Sequence, residues 1–332
     1  MVSPTSRRAV LVAFACAPGF AFAATERPKK RVGFIGPGNK EELMAEYQDV
    51  LSALGKLGYS EGRNLEVLAK PIGPFGVLSP QALESRLKAA AEELVAARPD
   101  VIIAKGSGRT TALHRATRSI PIVTWVGDPV SLGFASSLAR PGGNVTGLAL
   151  GIEVTATKMI ELMRLFIPRL ARVGMVHYDH AVSRHNMGFL ERAARAAGLE
   201  PAMIPYRENV PIPRAFDDLA ARRIQVANWA LFPEGDEVRA VARAAIERRI
   251  ALFTNQEEWV EGGFLASFSG YEPDIGSRMA AVVDKIFAGA NPAEIPFQFP
   301  QRFRYWINRR TATALGIALT PELLLRADRV IN

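Results

Sequence analysis

Residues 119–147 read SIPIVTWVGDPVSLGFASSLARPGGNVTG, and the parsing of this stretch decides the fold. Ile120 to Val126 is an apolar run of strand length. Gly127-Asp128-Pro129 closes it with a sharp turn, since proline can neither continue the ladder nor follow a helical residue comfortably. The pattern then predicts one small helix, a Pro-Gly-Gly-Asn break at 141–144 and a second strand entered at Val145. A strand apolar on both faces that ends at Asp-Pro is a buried parallel strand handing its chain to a loop at the sheet edge.

The same cadence extends in both directions. Upstream, strands are expected at Arg31–Ile35, Leu65–Ala69 and Val101–Ala104. The first is followed by one helix with Leu43, Met44, Tyr47, Val50, Leu51 and Leu54 on a single stripe and Gly58 just past its end. Ser79-Pro80 supplies an N-cap and a first helical residue, and Leu83, Leu87, Ala90, Leu94 and Val95 form the inner face behind it. The third strand runs into Lys105-Gly106-Ser107-Gly108-Arg109, with a helix from about Thr110. Downstream the series restarts. Helices are expected at Ala156–Phe166, Met187–Ala197 and around Phe216–Ala221, with strands at Val173–Val176, Met203-Ile204, Val226–Phe232, Ile250–Phe253 and Phe264–Ser269. Strands alternating with helices, five and then five again, specify two doubly wound, Rossmann-like α/β halves, each a parallel sheet of flavodoxin-type order covered on both sides. The tail is different. A helix at Ile275–Ala288, a proline-spaced segment to Pro300, a strand at Phe303–Ile307 and two short helices fit neither half as a sixth unit.

Length and composition agree with two domains. The chain has 332 residues, 48% apolar and 22% charged, with a net charge of +8. The basic residues sit on helix faces such as 164–172, 192–195 and 239–249 and do not alternate with aromatics, so they read as a solvated surface and not as a nucleic-acid site. At the N-terminus, Arg7-Arg8 precede an apolar run from Ala9 to Phe22, and Ala21-Phe22-Ala23 has small residues where a signal peptidase reads. Residues 1–23 are expected to be a cleaved secretory signal, with lipidation at Cys16 or a twin-arginine route as alternatives. Cys16 is the one cysteine. A mature chain without it has no disulfide and no thiol catalysis.

The opening stretch also resembles a known family. In the substrate-binding proteins of ABC transporters, of the tryptophan/tyrosine-type group, an I-P-I-V strand precedes a D-P-V turn and then S-L-A-R-P-G-G-N-(V/I)-T-G. The counterparts here are Ile120-Pro121-Ile122-Val123, Asp128-Pro129-Val130 and residues 137–147. Gly262-Gly263, Val283-Asp284-Lys285-Ile286, residues 312–316 and Leu323-Leu324-Leu325-Arg326-Ala327-Asp328 match further segments, so the likeness spans residues 31–332. It implies a periplasmic binding protein of type I. One lobe would comprise 31–148 plus about 270–298, the other 149–269 plus about 299–332, joined by a three-segment hinge near 147–152, 268–272 and 296–301.

In an open parallel sheet, ligands bind beyond the carboxyl ends of strands where the strand order reverses. For the order 2-1-3-4-5 that point lies between strands one and three, so four turns become candidates. Gly36-Pro37-Gly38 is the first. It is no dinucleotide fingerprint, because Glu41 stands at the last glycine position. Gly106-Ser107-Gly108 is no nucleotide P-loop, but it opens a helix beside Arg109. It reads either as a seat for a ligand carboxylate or as an ordinary βα turn. Asp128 is either a turn-former or an acceptor for a ligand ammonium. In the second half, His177, Tyr178 and Asp179 end a strand where the resembling family usually has Tyr-Asn. His177, Asp179, His180 and His185 together raise a zinc alternative, although their spacing matches no common metal signature. Pro233 and Glu234 form the fourth turn. Trp125, Tyr178, Phe232 and Phe253, at or near strand ends, are either core or stacking surfaces.

No G-x-S-x-G elbow, H-E-x-x-H pair or Ser-His-Asp order is present. The expectation is a non-enzymatic, cofactor-free, monomeric receptor in the periplasm that binds a small polar ligand and meets an ABC permease and its ATPase. The alternatives are a ligand-sensing domain for a signalling receptor, and a metal-dependent hydrolase using the histidine loop.

Overall fold

A computed structural model of the chain describes residues 28–74, 79–179, 181–207, 211–231, 233, 235–271 and 274–332. The expected signal peptide with Cys16, together with His180, Phe232 and Glu234, lies outside the described residues.

The first half runs β1 (Lys30–Gly36), α1 (Lys40–Glu46), α2 (Gln48–Lys56), β2 (Leu65–Pro71), α3 (Pro80–Ala96), β3 (Val101–Lys105), α4 (Ser107–Ala116), β4 (Ile122–Val126) and β5 (Val145–Ala149). Its strands pair in parallel in the order β2-β1-β3-β4-β5. Every residue of β5 is buried, as expected of a strand with helices on both faces. Gly147 within it has φ +138°, and a Cβ there would lie 2.1 Å from the Thr124 carbonyl oxygen. Only glycine lets β5 approach β4 at this point.

The second half runs α5 (Ile152–Phe166), β6 (Arg172–Tyr178), α6 (Ala181–Ala196), β7 (Glu200–Tyr206), α7 (Ile212–Ala221), β8 (Val226–Ala230), α8 (Asp236–Glu247), β9 (Ala251–Thr254), α9 (Glu257–Glu261) and β10 (Ala266–Tyr271). The tail adds α10 (Ile275–Phe287), β11 (Arg302–Asn308), α11 (Arg309–Leu315), α12 (Pro321–Arg326) and β12 (Arg329–Ile331). Strands β7-β6-β8-β9-β10 repeat the parallel order of the first sheet. Strand β11 then joins β10 antiparallel, and β12 pairs parallel with β11. The result is two separate sheets, of five and seven strands.

Each sheet is packed on both faces. In the first, Tyr47, Val50 and Leu54 meet Met279, Val283 and Phe287 of α10 on one side. Leu87, Ala91, Leu94 and Leu113 of α3 and α4 cover the other. In the second, Met159, Met163, Phe166 and Phe189 of α5 and α6 oppose Phe216, Leu219, Val241 and Trp259 across the sheet. The tail helix α10 therefore belongs to the first sheet, while β11 and β12 belong to the second.

The chain passes between the sheets three times: after β5, after β10, and again before β11. The first and third passages are bonded together, since Gln298 N donates to Gly147 O at 2.9 Å and Ala149 N donates to Gln298 O at 2.8 Å. Arg278 of α10 adds bonds to Gln298 Oε1 at 3.1 Å and to the Phe299 carbonyl at 2.9 Å.

Besides earlier starts of α4 and α5 and the added β12, local expectations differ most in three places. The helix expected across 43–54 breaks at Tyr47, whose hydroxyl donates to Ile35 O and accepts from Lys105 N. Seating the ring there fixes its backbone at φ −105°, ψ 10° and separates α1 from α2. The small helix expected after Asp128-Pro129 is instead a run of turns over 129–133. Gly133, at φ +72°, stops it from winding further. Finally, α6 begins at Ala181, well before the expected Met187.

Candidate functional site

The carboxyl ends of β1 and β3 in the first sheet, and of β6 and β8 in the second, are the switch points of the two halves. Gly36 ends β1 with almost no room above it. A Cβ would lie 2.6 Å from Leu43 Cδ1 and 2.7 Å from Glu46 Oε2. Pro37 is half-buried, and Gly38, at φ +74°, bonds reciprocally with Gly73 across the β1 and β2 ends. The turn is thus held to the neighbouring loop by backbone pairing.

The turn after β3 is built around one ion pair. Gly106 takes φ +106°, donates to Trp125 O at 2.8 Å, and starts α4. Ser107 is buried and Gly108 half-buried. Arg109, expected to face a ligand carboxylate, is 9% exposed. Its Nη1 donates to Glu46 Oε1 at 2.6 Å and to the Tyr47 hydroxyl at 3.3 Å. Lys105 turns the same way, to Glu46 O and Asp49 Oδ1. Both cations are held by acids of the adjacent α1 and α2, a partnership that no local motif announces. Burial pushes the Tyr47 phenol up to about 12, against the pull of Arg109.

Asp128 is a turn-former: Oδ1 accepts from Val130 N at 3.0 Å and from Ser131 N. In the second half, His177 is 1% exposed and its Nδ1 donates to Tyr178 O at 2.8 Å. Desolvation holds its imidazole below the usual histidine range, so the ring is neutral. Tyr178 packs edge-on against Tyr206. Asp179, a strand-end candidate, has both oxygens occupied, by Arg207 Nε at 3.0 Å and Arg184 Nη1 at 2.5 Å. The hydrogen bond from Arg207, foremost, draws its carboxyl below the usual range. Phe253 is core, fully buried and edge-on to Phe166. Pro233 is buried and borders a hollow of about 490 Å³ shared with Gly235, Val238, Arg239, Glu258 and Trp259. Among the described residues, no three His, Cys, Asp or Glu side chains gather as metal ligands. Of the histidines considered for zinc, His177 is buried while His185 bonds to Ser131, and His180 lies outside the described residues.

His185 reaches the first half. Its Nε2 is hydrogen-bonded to Ser131 Oγ at 3.0 Å. Just beside this, a Cβ on Gly127 would lie 2.2 Å from Ile152 Cδ1 and 3.4 Å from Asn186 Oδ1. The loop after β4 therefore rests against the first turns of α6 and the start of α5, and the two halves meet along this seam. Ser131 and Asn186 carry no sequence signal for it, because contact between halves leaves no local periodicity.

This arrangement, two sheets of one order with their chain shared three times, can be compared with known proteins. A model of the ABC transporter substrate binding protein family matches residues 32–331.

The chain belongs to that family.

This substrate-binding protein is 24% identical over 295 residues to a tyrosine-binding protein of Clostridioides difficile, covering 88% of this chain and 82% of the relative. Its fold matches a conserved domain protein from Vibrio cholerae at a TM-score of 0.74 and 26% identity, over 91% of this chain and 99% of the other. It also matches a domain from Streptococcus pneumoniae solved with L-tryptophan, at a TM-score of 0.71 and 20% identity, over 91% of this chain and all of the other. The two-lobed architecture is that of type I periplasmic binding proteins. Among the described residues, no helix is long and apolar enough to cross a membrane.

Proposed function

We propose that this substrate-binding protein is an exported receptor of an ABC import system that closes its two lobes on a small polar ligand, in the first instance an aromatic amino acid or a small aromatic acid. The observation that carries the reading is the doubled strand order with three chain passages between the sheets. Two rigid bodies joined by short parallel tethers can rotate about them, and closure reports occupancy to a membrane partner. The hinge is the three-segment one expected from the sequence, near 147–152, 268–272 and 296–301, and the bonds of Gln298 to Gly147 and Ala149 support it for the first and third segments. The tyrosine-binding relative and the neighbour solved with L-tryptophan support the ligand class. The partners are a permease and its ATPase, reached outside the cytoplasm after removal of residues 1–23, and no step of this cycle requires catalysis.

The internal partners of Arg109, Asp128 and Asp179 argue that the strand-end charges hold the turns in shape. Affinity then comes from backbone amides, a few neutral polar groups and aromatic faces. Mass spectrometry of the small molecule released by denaturing natively purified protein tests the reading. An amino acid or aromatic acid at near-stoichiometric yield is expected. Calorimetry without binding by any aromatic amino acid or aromatic acid would remove the ligand class and leave the receptor standing.

A further inference from the structure

The two sheets end in four edge strands, and three of these are short or guarded against a further strand. Beside β5 lies Gln298, which bonds to Gly147 and Ala149. Strand β12 has only three residues. On β7, Glu200 N donates to Ala171 O and Tyr206 O accepts from Asp179 N, so the even-numbered residues turn towards β6. Those facing outward are then Pro201, Met203 and Pro205, and the two prolines have no N–H to offer. Proline on an edge is a common guard against pairing with another chain.

The fourth edge, β2, has no such guard before its last residue. Lys30 N donates to Asn64 O and Ile72 N to Gly36 O, each at 2.9 Å, so the even-numbered residues here bond to β1. Leu65 faces outward but is taken up by its own turn, with Ser60 and Gly62 as partners. Val67 and Ala69 each present an N–H and a C=O to the outside, and among the described residues nothing bonds to them. Pro71 ends the row. The side chains alternate in the same way. Glu66, Leu68 and Lys70, all half-buried, stand on the face covered by α3. Leu68 packs on the core beneath that helix, and Lys70 Nζ reaches Glu93 at 2.6 Å. Glu66 meets Arg31 at 3.2 Å and Lys29 at 3.5 Å.

The run Glu66-Val67-Leu68-Ala69-Lys70 is complementary to itself read backwards. Laid antiparallel on a second copy with Leu68 opposite Leu68, Val67 of each chain faces Ala69 of the other. These are the residues with free backbone groups, and a bonded antiparallel pair exchanges both N–H···O=C bonds. On the α3 face, Glu66 of each chain then stands opposite Lys70 of the other, on either side of the two leucines. Opposite charges across a strand pair are favourable and like charges are not. A parallel pairing in register would oppose like charges at both positions, so the charges select the antiparallel one.

We infer that β2 is an interface between two copies of this chain, joined about a twofold axis so that their five-stranded sheets become one. Such an interface is isologous, each residue finding the same partner in both directions. Strand β2 lies at the edge opposite β5, from which the chain leaves for the second lobe, so the passages between lobes stay free. The contact is small for a stable dimer. The pair therefore forms in concentrated protein, and the monomer expected from the sequence is its dilute form.

Sedimentation velocity of the purified protein from about 1 to 300 μM tests this. The average mass should rise from one chain towards two. Ala69→Pro removes an outward N–H and leaves the ladder to β1 intact; it should weaken association roughly tenfold or more. Lys70→Glu and Glu66→Lys each oppose like charges and should weaken it similarly. An equimolar mixture of those two restores opposite charges at both pairs and should recover association. Amide exchange is read alongside, with Val67 and Ala69 protected in concentrated parent protein and exchanging freely when it is diluted. A parent that stays at the mass of one chain overturns the inference, as does Ala69→Pro associating like the parent or a mixture that does not recover. Should a variant fail to fold by circular dichroism, the two amides of the parent decide, and exchange independent of concentration overturns the interface.

Discussion

The first lobe buries a charged pair beneath its strand ends, Arg109 on Glu46, whereas the second buries an uncharged imidazole, His177, at the end of the strand equivalent to β1. Both lobes run the same five-strand order, and both need something polar where backbone leaves the sheet. The first achieves this with charges neutralised by neighbouring helices, the second with a ring that satisfies itself on its own strand's carbonyl. Strand order therefore follows from the apolar pattern, while the chemistry at the sheet edge is settled residue by residue. A second contrast concerns closure of the sheet. The first lobe stops at β5 and borrows α10 from the tail, and the second continues into β11 and β12.

The contrast is sharpest at two glycines inside strands. Gly147→Ala would place a Cβ 2.1 Å from the Thr124 carbonyl and 2.7 Å from its amide. Backbone cannot step aside, so a loss of about 4 kcal/mol or more is expected, seen as little folded protein in a denaturant titration. Gly174→Ala in β6 meets only the side chains of Leu219, Ile224 and Ala227, the nearest at 2.4 Å. Leu219 can repack, and a loss of about 1–3 kcal/mol is expected. Equal losses at the two sites would break the comparison.

Next in size is Glu46→Ala. It takes the carboxylate partner from buried Arg109, with an expected loss of about 3 kcal/mol by chemical denaturation and a smaller one for Glu46→Gln. Asp179→Ala, in the second lobe, removes the partner of two exposed arginines and should stay within about 1 kcal/mol. If the two acids cost the same, the first lobe's pair is not the fixture described above.

His177 gives a pH signature. Its folded pKa is depressed by burial while the unfolded value sits near ~6.5. Between those values the unfolded chain binds the extra proton. The stability this group supplies is therefore complete above ~6.5 and is lost as pH falls towards the folded pKa. Melting curves from pH 7.5 down to 5 should decline less steeply in His177→Leu than in the parent. An unchanged slope would mean that the imidazole is not what titrates.

The smallest effect is expected at the seam. Ser131→Ala removes one exposed hydrogen bond to His185 and should shift stability by less than about 1 kcal/mol. Its readout is the apparent ligand affinity, which changes if the contact biases the lobes towards one arrangement.

Much of the fold was legible in the letters. Apolar runs such as Val101–Ala104 and the glycine and proline breaks at 127–129 and 141–144 placed strands and turns, because burial on both faces leaves no polar alternation to misread. The candidate site was far less legible. Arg109 beside a glycine turn looks like an anion seat until Glu46, 63 residues away, is seen to occupy it. Asp179 looks free until Arg207 folds back on it. Such pairings depend on which helices become neighbours, and nothing within a local window encodes them.

The sequence by itself determined two α/β halves of one strand order, because the period of apolar residues and the position of strand breakers are properties of the chain alone. The tertiary structure alone decided which charges were already partnered, that α10 serves the first sheet while β11 and β12 extend the second, and that Ser131 of one lobe meets His185 of the other across the seam. Each of these is a contact between segments distant in sequence, and such contacts exist only once the sheets have formed and the chain has passed between them.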